Sequence, residues 1–146
     1  MRPELSLSLQ CADPDARALL ARHRVARWIR AAIERPAQIV VRIVGEDEAL
    51  ALNHEYRGKR YATNVLTFAY EHEPCVVADV VLCAPVVARE ASEHGLDLQA
   101  HYAHLIVHGT LHAQGYDHER AAAARRMHAR ESAVLRALGL PDPHAR

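Results

Sequence analysis

Between Asp97 and His118 the chain carries a stripe of histidines that the fold must turn toward a cleft. His104, His108 and His112 recur every four residues, so on a helix they project from one face, a turn apart. Asp97 stands where a cap would start that helix, and Leu98, Leu105, Ile106 and Leu111 pack it against a sheet. Gly115 falls where a left-handed residue would end it, and the turn it opens brings His118 back toward His108 and His112. Three neutral imidazoles with a fourth position left for water describe a catalytic zinc site better than a structural one, which four protein ligands normally close. Nickel or iron fits three histidines nearly as well.

Reach decides among the histidines. His104 and His112 lie roughly 12 Å apart along a helix and cannot share an ion whose ligand atoms sit about 2 Å away. Only His108, His112 and His118 have a helix stop that supplies a third ligand. His104 then reads as a supporting or packing residue, and His101 as a surface one. Eleven histidines in 146 residues put some at helical spacing by chance, so the third histidine beyond a glycine is what lifts the pattern above chance. The spacing His-x3-His-x5-His, with glycine three after the second histidine, is that of metzincin proteases. Those enzymes carry a glutamate general base directly after the first histidine, where this chain has Gly109. A helix-interior glycine is disfavoured by about 1 kcal/mol against alanine, which points to close backbone packing or to room for substrate beside the metal.

The remaining elements alternate. Leu5, Leu7, Leu9 and Cys11 alternate with Ser6, Ser8 and Gln10, the period of a half-buried strand. Asp13-Pro14 opens a helix with Ala16, Leu19, Leu20, His23, Ala26, Ile29 and Ile33 on one face; Arg17, Arg22, Arg24, Arg27 and Arg30 form a basic strip that suits either RNA or solvent. A second strand spans 38–44. A short helix from Glu46 to about Tyr56 turns Leu50, Leu52 and His54 inward. Strands at 65–70 and 78–83 follow. A helix runs from Pro85 to Gly95 with Val86, Val87, Ala88 and Ala91 inward, and a last one from about Arg120 to Leu138 is anchored by Met127, Val134, Leu135 and Leu138. Arg125, Arg126, Arg130 and Arg136 give that last helix a basic outer surface. The expected architecture is a single α+β domain, 1–146, with about four strands covered mainly by helices, a zincin-like three-histidine site at a helix end, and a short tail over 139–146.

Composition narrows the function. A content of 50% hydrophobic residues supports one core without disulfides, and Cys11, Cys75 and Cys83 read as reduced thiols of a cytoplasmic protein. One Trp and one Phe leave no evident platform for stacking bases. The N-terminus lacks the apolar run of a secretory signal, and no segment reaches the ~18 apolar residues of a membrane span. Formal charge is zero, so any contact with nucleic acid must come from local clusters such as Arg57-Gly58-Lys59-Arg60, which as a bare pattern is an exposed turn.

His108-Gly109-x-Leu111-His112-x-x-Gly115-Tyr116-Asp117-His118 resembles the signature of the YbeY family, bacterial metal-dependent endoribonucleases of ribosomal RNA maturation. The resemblance extends to Leu52-Asn53-x-x-Tyr56-Arg57-x-Lys59, to Thr63-Asn64-Val65-Leu66-Thr67-Phe68 and to Asp79-Val80-Val81-Leu82, and so spans most of the chain. Asn64, Thr67, Arg60 and Ala62 depart from the family's usual Asp, Ser, Asp and Pro. The resemblance implies a one-zinc, single-strand-specific endoribonuclease held by His108, His112 and His118, acting in maturation of the 16S rRNA 3′ end and in ribosome quality control. It implies an active-site Arg57 that binds phosphate, with Lys59 and Arg60 as substrate contacts, and partners among the ribosome and its assembly proteins. Asp117 either orients a ligand histidine or acts as a base through water. Two rivals are a non-catalytic assembly factor stapled by its metal and a minimal zinc peptidase.

Overall fold

In a computed structural model the chain is described over residues 3–59 and 62–144. The described elements run β1 (Leu5–Cys11), α1 (Pro14–Leu19), α2 (Arg22–Ala32), β2 (Ala37–Val44), α3 (Glu46–Arg57), β3 (Val65–Glu71), β4 (Val76–Cys83), α4 (Ala84–His94), α5 (Leu98–Ala113) and α6 (Ala121–Ala137). This is the expected α+β domain with a four-stranded sheet. Strand order is β1-β2-β4-β3, with β1, β2 and β4 parallel and β3 antiparallel on the edge beside β4.

Alternation along the strands builds two cores. Leu7, Ile39, Val41, Ile43, Val76, Ala78, Val80 and Leu82 point to one face, where α2, α5 and α6 bury them with Val25, Trp28, Ile29, Ile106, Leu111 and Leu135. The other face is only partly covered: Val44, Leu66, Val81 and Cys83 meet Ala49 of α3 and Val86 of α4 in a smaller cluster, while Ser6, Ser8, Gln10 and Gln38 stay exposed. Helix α5 is the centre of the larger core. From Tyr102 to Ala113 its residues are buried except His104, His108 and His112, so the histidine stripe is the side left open.

Three helical readings need correction. The expected helix from Asp13 through Ile33 is two helices broken at Leu20 and Ala21, and Leu20 itself turns into the core at 2% exposure. The carbonyl that the break frees, at Leu19, accepts from Gln99 Nε2 at 2.8 Å. The break rotates the second segment, so Val25, Ala26, Trp28, Ile29 and Ala32 are buried and His23 is exposed. In α3 the inward residues are Ala49 and Asn53, leaving Leu50 and His54 exposed and Leu52 half-buried; in α4, Ala88 is exposed. Helix α3 buries only Ala49 and Asn53, while α4 keeps Ala84, Val86, Val87 and Ala91 buried.

Gly109 settles its own alternative in favour of close packing. A Cβ at this position would lie 2.7 Å from Val80 Cγ1 and 3.1 Å from Thr67 Oγ1, so only glycine lets α5 approach β3 and β4 this closely.

Candidate active site

Asp97 caps α5 as expected, its carboxylate accepting from the Ala100 amide at 2.9 Å. At the other end the amides of Gly115 and Tyr116 donate to the carbonyls of His112 and Leu111 at 3.0 and 3.2 Å, and Gly115 takes φ +99°. This paired closure turns the chain sharply back along the helix. Gln114 anchors the turn: it is buried, accepts from the Glu34 amide at 2.7 Å and donates to the Ala32 and Thr110 carbonyls at 2.9 and 3.1 Å. Tyr116 adds a hydroxyl bond to Glu34 at 3.0 Å.

The result brings His118 over the stripe. Ring centroids are 5.8 Å apart for His108 and His112, 5.7 Å for His108 and His118, and 5.2 Å for His112 and His118. Three imidazoles bound tetrahedrally to one ion through nitrogens about 2 Å away would have centroids roughly 5 Å apart. Two of the rings are also oriented for the task. His112 Nδ1 donates to the Tyr116 carbonyl at 2.8 Å, and His108 Nδ1 is hydrogen-bonded to Glu131 Oε2, which leaves Nε2 of each ring as the free donor. Burial lowers the His112 pKa, the neighbouring His108 lowers it further, the bond to the Tyr116 carbonyl opposes this, and His118 and Arg57 add to the lowering. A neutral imidazole is what a metal requires of its ligand; the three rings approach by their centroids, whereas the group of described residues whose ligating atoms all lie within 4.8 Å of one another is formed by His104, Glu131 and His144.

Arg57 ends α3, exposed, and its charge is felt at His112. Lys59 follows in the exposed turn after Gly58; Arg60 lies outside the described residues. Asp117 accepts from the Glu119 amide at 3.0 Å. That bond is the largest of the influences that lower its pKa; burial works against it, and the His118 amide and the charges of His112 and His118 reinforce it. The Nδ1 atoms of His108 and His112 are held by Glu131 and by the Tyr116 carbonyl, while the Asp117 carboxylate is engaged with the backbone of its own turn.

Glu131 is the residue that sequence reasoning missed. It is 1% exposed on α6, and it sits four after Met127 and four before Leu135 on the buried stripe of that helix. A carboxylate at a core position is the signal that marks it. Burial pushes its pKa up, but hydrogen bonds from His104 and His108, the charge of His108 and a bond from His144 outweigh this and hold the group well below its ordinary value. His104 Nε2 and His144 Nε2 donate to Oε1 at 3.1 and 2.9 Å. The ligating atoms of His104, Glu131 and His144 all lie within 4.8 Å of one another, a group that could hold a metal ion.

His101, expected at the surface, is largely covered and pairs with Glu90 at 2.9 Å. Glu90 also receives the Asn64 side-chain amide at 3.1 Å. The arginine strip is partly spent on structure: Arg17 donates to the Cys11 carbonyl at 2.7 Å, Arg22 to that of Leu7 and Arg24 to that of Leu19 at 3.5 Å, and Arg17, Arg22, Arg27 and Arg30 are all exposed.

An α+β fold with a histidine-lined site at the end of its central helix defines the class. The family model described as Endoribonuclease YbeY matches residues 13–139. The chain is 67% identical over 144 residues to the Endoribonuclease YbeY of Methylibium petroleiphilum, covering 99% of this chain and 97% of that one. It is 60% identical to the Endoribonuclease YbeY of an Acidovorax species, covering 97% of each. The solution structure of TM1509 from Thermotoga maritima shares the fold, with a TM-score of 0.60 and 23% identity over 96% of this chain and 99% of that one. The chain belongs to the YbeY endoribonuclease family.

Proposed function

We propose that this protein is a zinc-dependent endoribonuclease that cuts single-stranded RNA, with His108, His112 and His118 holding the ion. The observation that carries the reading is the convergence of these three rings with the Nδ1 atoms of His108 and His112 already engaged. Zinc bound there supplies an activated water and a Lewis acid for a phosphoryl oxygen. Arg57 binds the scissile phosphate and stabilises charge as it develops, and Lys59 and Arg60 hold the flanking backbone. Glu131 holds His108 in its ring orientation and tautomer. Asp117 orders the turn that delivers His118.

On this reading the substrate is the 16S rRNA precursor near its 3′ end. The protein acts in the cytoplasm, in rRNA maturation and ribosome quality control, beside the ribosome and its assembly proteins. No helix among the described residues is long and apolar enough to cross a membrane. The peptidase alternative loses support from Gly109, where the sheet leaves no space for the glutamate side chain such an enzyme needs.

The test is cleavage of a labelled single-stranded RNA by protein stripped with chelator and then reloaded with zinc. Activity should vanish on stripping, return on reloading, and be absent from folded His112→Ala at any zinc concentration. Undiminished cleavage by that variant would refute the assignment.

A further inference from the structure

Glu131 poses a problem of charge. Among the described residues its ion-pair partners are histidines, with no lysine or arginine at bonding distance. An anion this deeply buried demands compensation, because removing a carboxylate from water is costly unless positive charge or hydrogen bonds meet it. His104 Nε2 and His144 Nε2 both converge on Oε1, while Oε2 is given to His108.

The convergence is built by the fold. Helix α6 closes as α5 does, the amides of Gly139 and Leu140 donating to the carbonyls of Arg136 and Leu135 at 3.0 and 2.9 Å, with Gly139 at φ +74°. The chain folds back, and Asp142 pins it: its carboxylate accepts from Ser132 Oγ at 2.7 Å and from the His144 amide at 2.9 Å. His144 then stacks on His128, with centroids 4.2 Å apart at 22°, and points Nε2 at Glu131. Its side chain is 29% exposed and that of His104 23%, so solvent and ions reach both.

We propose that His104, Glu131 and His144 form a second divalent-metal site, distinct from the histidine cleft, which ties the C-terminal tail to α5; on binding, the ion displaces to solvent the Nε2 protons that His104 and His144 direct at Oε1. Two imidazoles and a carboxylate are a zinc donor set, and with nitrogen and oxygen donors the site also takes cobalt. The ion adds a fixed positive charge beside Glu131, whose ion-pair partners among the described residues are all histidines. It lies behind His108, on the Nδ1 side of that ring, and so away from the face offered to substrate. Its role is to hold the tail and, through Glu131, to fix His108.

The experiment uses the full chain, stripped of metal and titrated with cobalt and with zinc, each alone, with bound metal counted by elemental analysis and by calorimetry. Wild type should bind two ions per chain, while His144→Ala and His112→Ala should each bind one. Zinc should raise the melting temperature of His112→Ala and have no such effect on the double variant His112→Ala/His144→Ala, a readout that does not depend on activity. One ion in wild type that His144→Ala retains overturns the second site and leaves the cleft assignment standing. One ion that His144→Ala loses and His112→Ala keeps supports this site and overturns the cleft. His144→Gln serves as the backup variant should alanine loosen the tail.

Discussion

The ends of α5 and α6 are made the same way and differ in what they deliver. Each closes with paired amide-to-carbonyl bonds around a left-handed glycine, and each returns a histidine to a waiting group: His118 to His108 and His112, His144 to His104 and Glu131. The first group is all imidazole and lies beside the Arg57 charge. The second is built on a buried carboxylate whose burden it must neutralise. Glu131 joins the two groups by touching His108 with one oxygen and His104 and His144 with the other, and on the proposals above one construction serves chemistry at one end and attachment at the other.

The contrast is broken most directly by removing one histidine from each group. His118→Ala should lower RNA cleavage roughly a thousandfold, since losing the ion forfeits several kcal/mol of transition-state stabilisation; His104→Ala should lower it by about tenfold, the size of an effect passed through a supporting group. Equal losses in a single-turnover assay would erase the distinction between the clusters. Arg57→Ala should reduce kcat by about a hundredfold while zinc content, read by elemental analysis, stays at the wild-type value. A loss of metal with the activity would move Arg57 from substrate to scaffold.

Glu131→Gln tests the link between the two groups. Zinc affinity at the cleft should fall by about ten- to a hundredfold, the usual consequence of removing the carboxylate behind a ligand histidine. The same variant changes the acid limb of stability. The folded-state pKa of Glu131 lies below its ordinary 4.5, so its contribution is present above pH 4.5 and is lost as pH falls toward the folded value. Melting temperatures of metal-free protein should therefore drop less steeply below pH 4.5 in Glu131→Gln than in wild type; parallel curves would show that the carboxylate is not held as described. The smallest effect concerns the seat that both groups share. Gly109→Ala should cost about 1–3 kcal/mol in a denaturant melt through the clash with Val80, and Val80→Ala in the same chain should recover part of it.

What could be read from the chain divides along the same line. The approach of His108, His112 and His118 was legible because the three lie within eleven residues on one helix and its stop, where spacing alone puts them together. The tail cluster draws on α5, α6 and the segment beyond, and periodicity within one helix says nothing about which helices meet. Glu131 was hidden for that reason, although a carboxylate between Met127 and Leu135 on an apolar stripe announces a buried partner. The strands were readable from alternation and β-branched runs, whereas the break at Leu20 and Ala21 was not, because Gln99, distant in sequence, is what satisfies the freed carbonyl. The exposure of Leu50 and His54 on α3 likewise depends on how little of the sheet that helix covers.

Anomalous X-ray scattering at the zinc edge from crystals of zinc-loaded wild-type protein tests the central claim most directly. The account predicts a peak about 2 Å from the Nε2 atoms of His108 and His112 and from a ring nitrogen of His118. Density confined to His104, Glu131 and His144, with nothing between the three cleft rings, would contradict it.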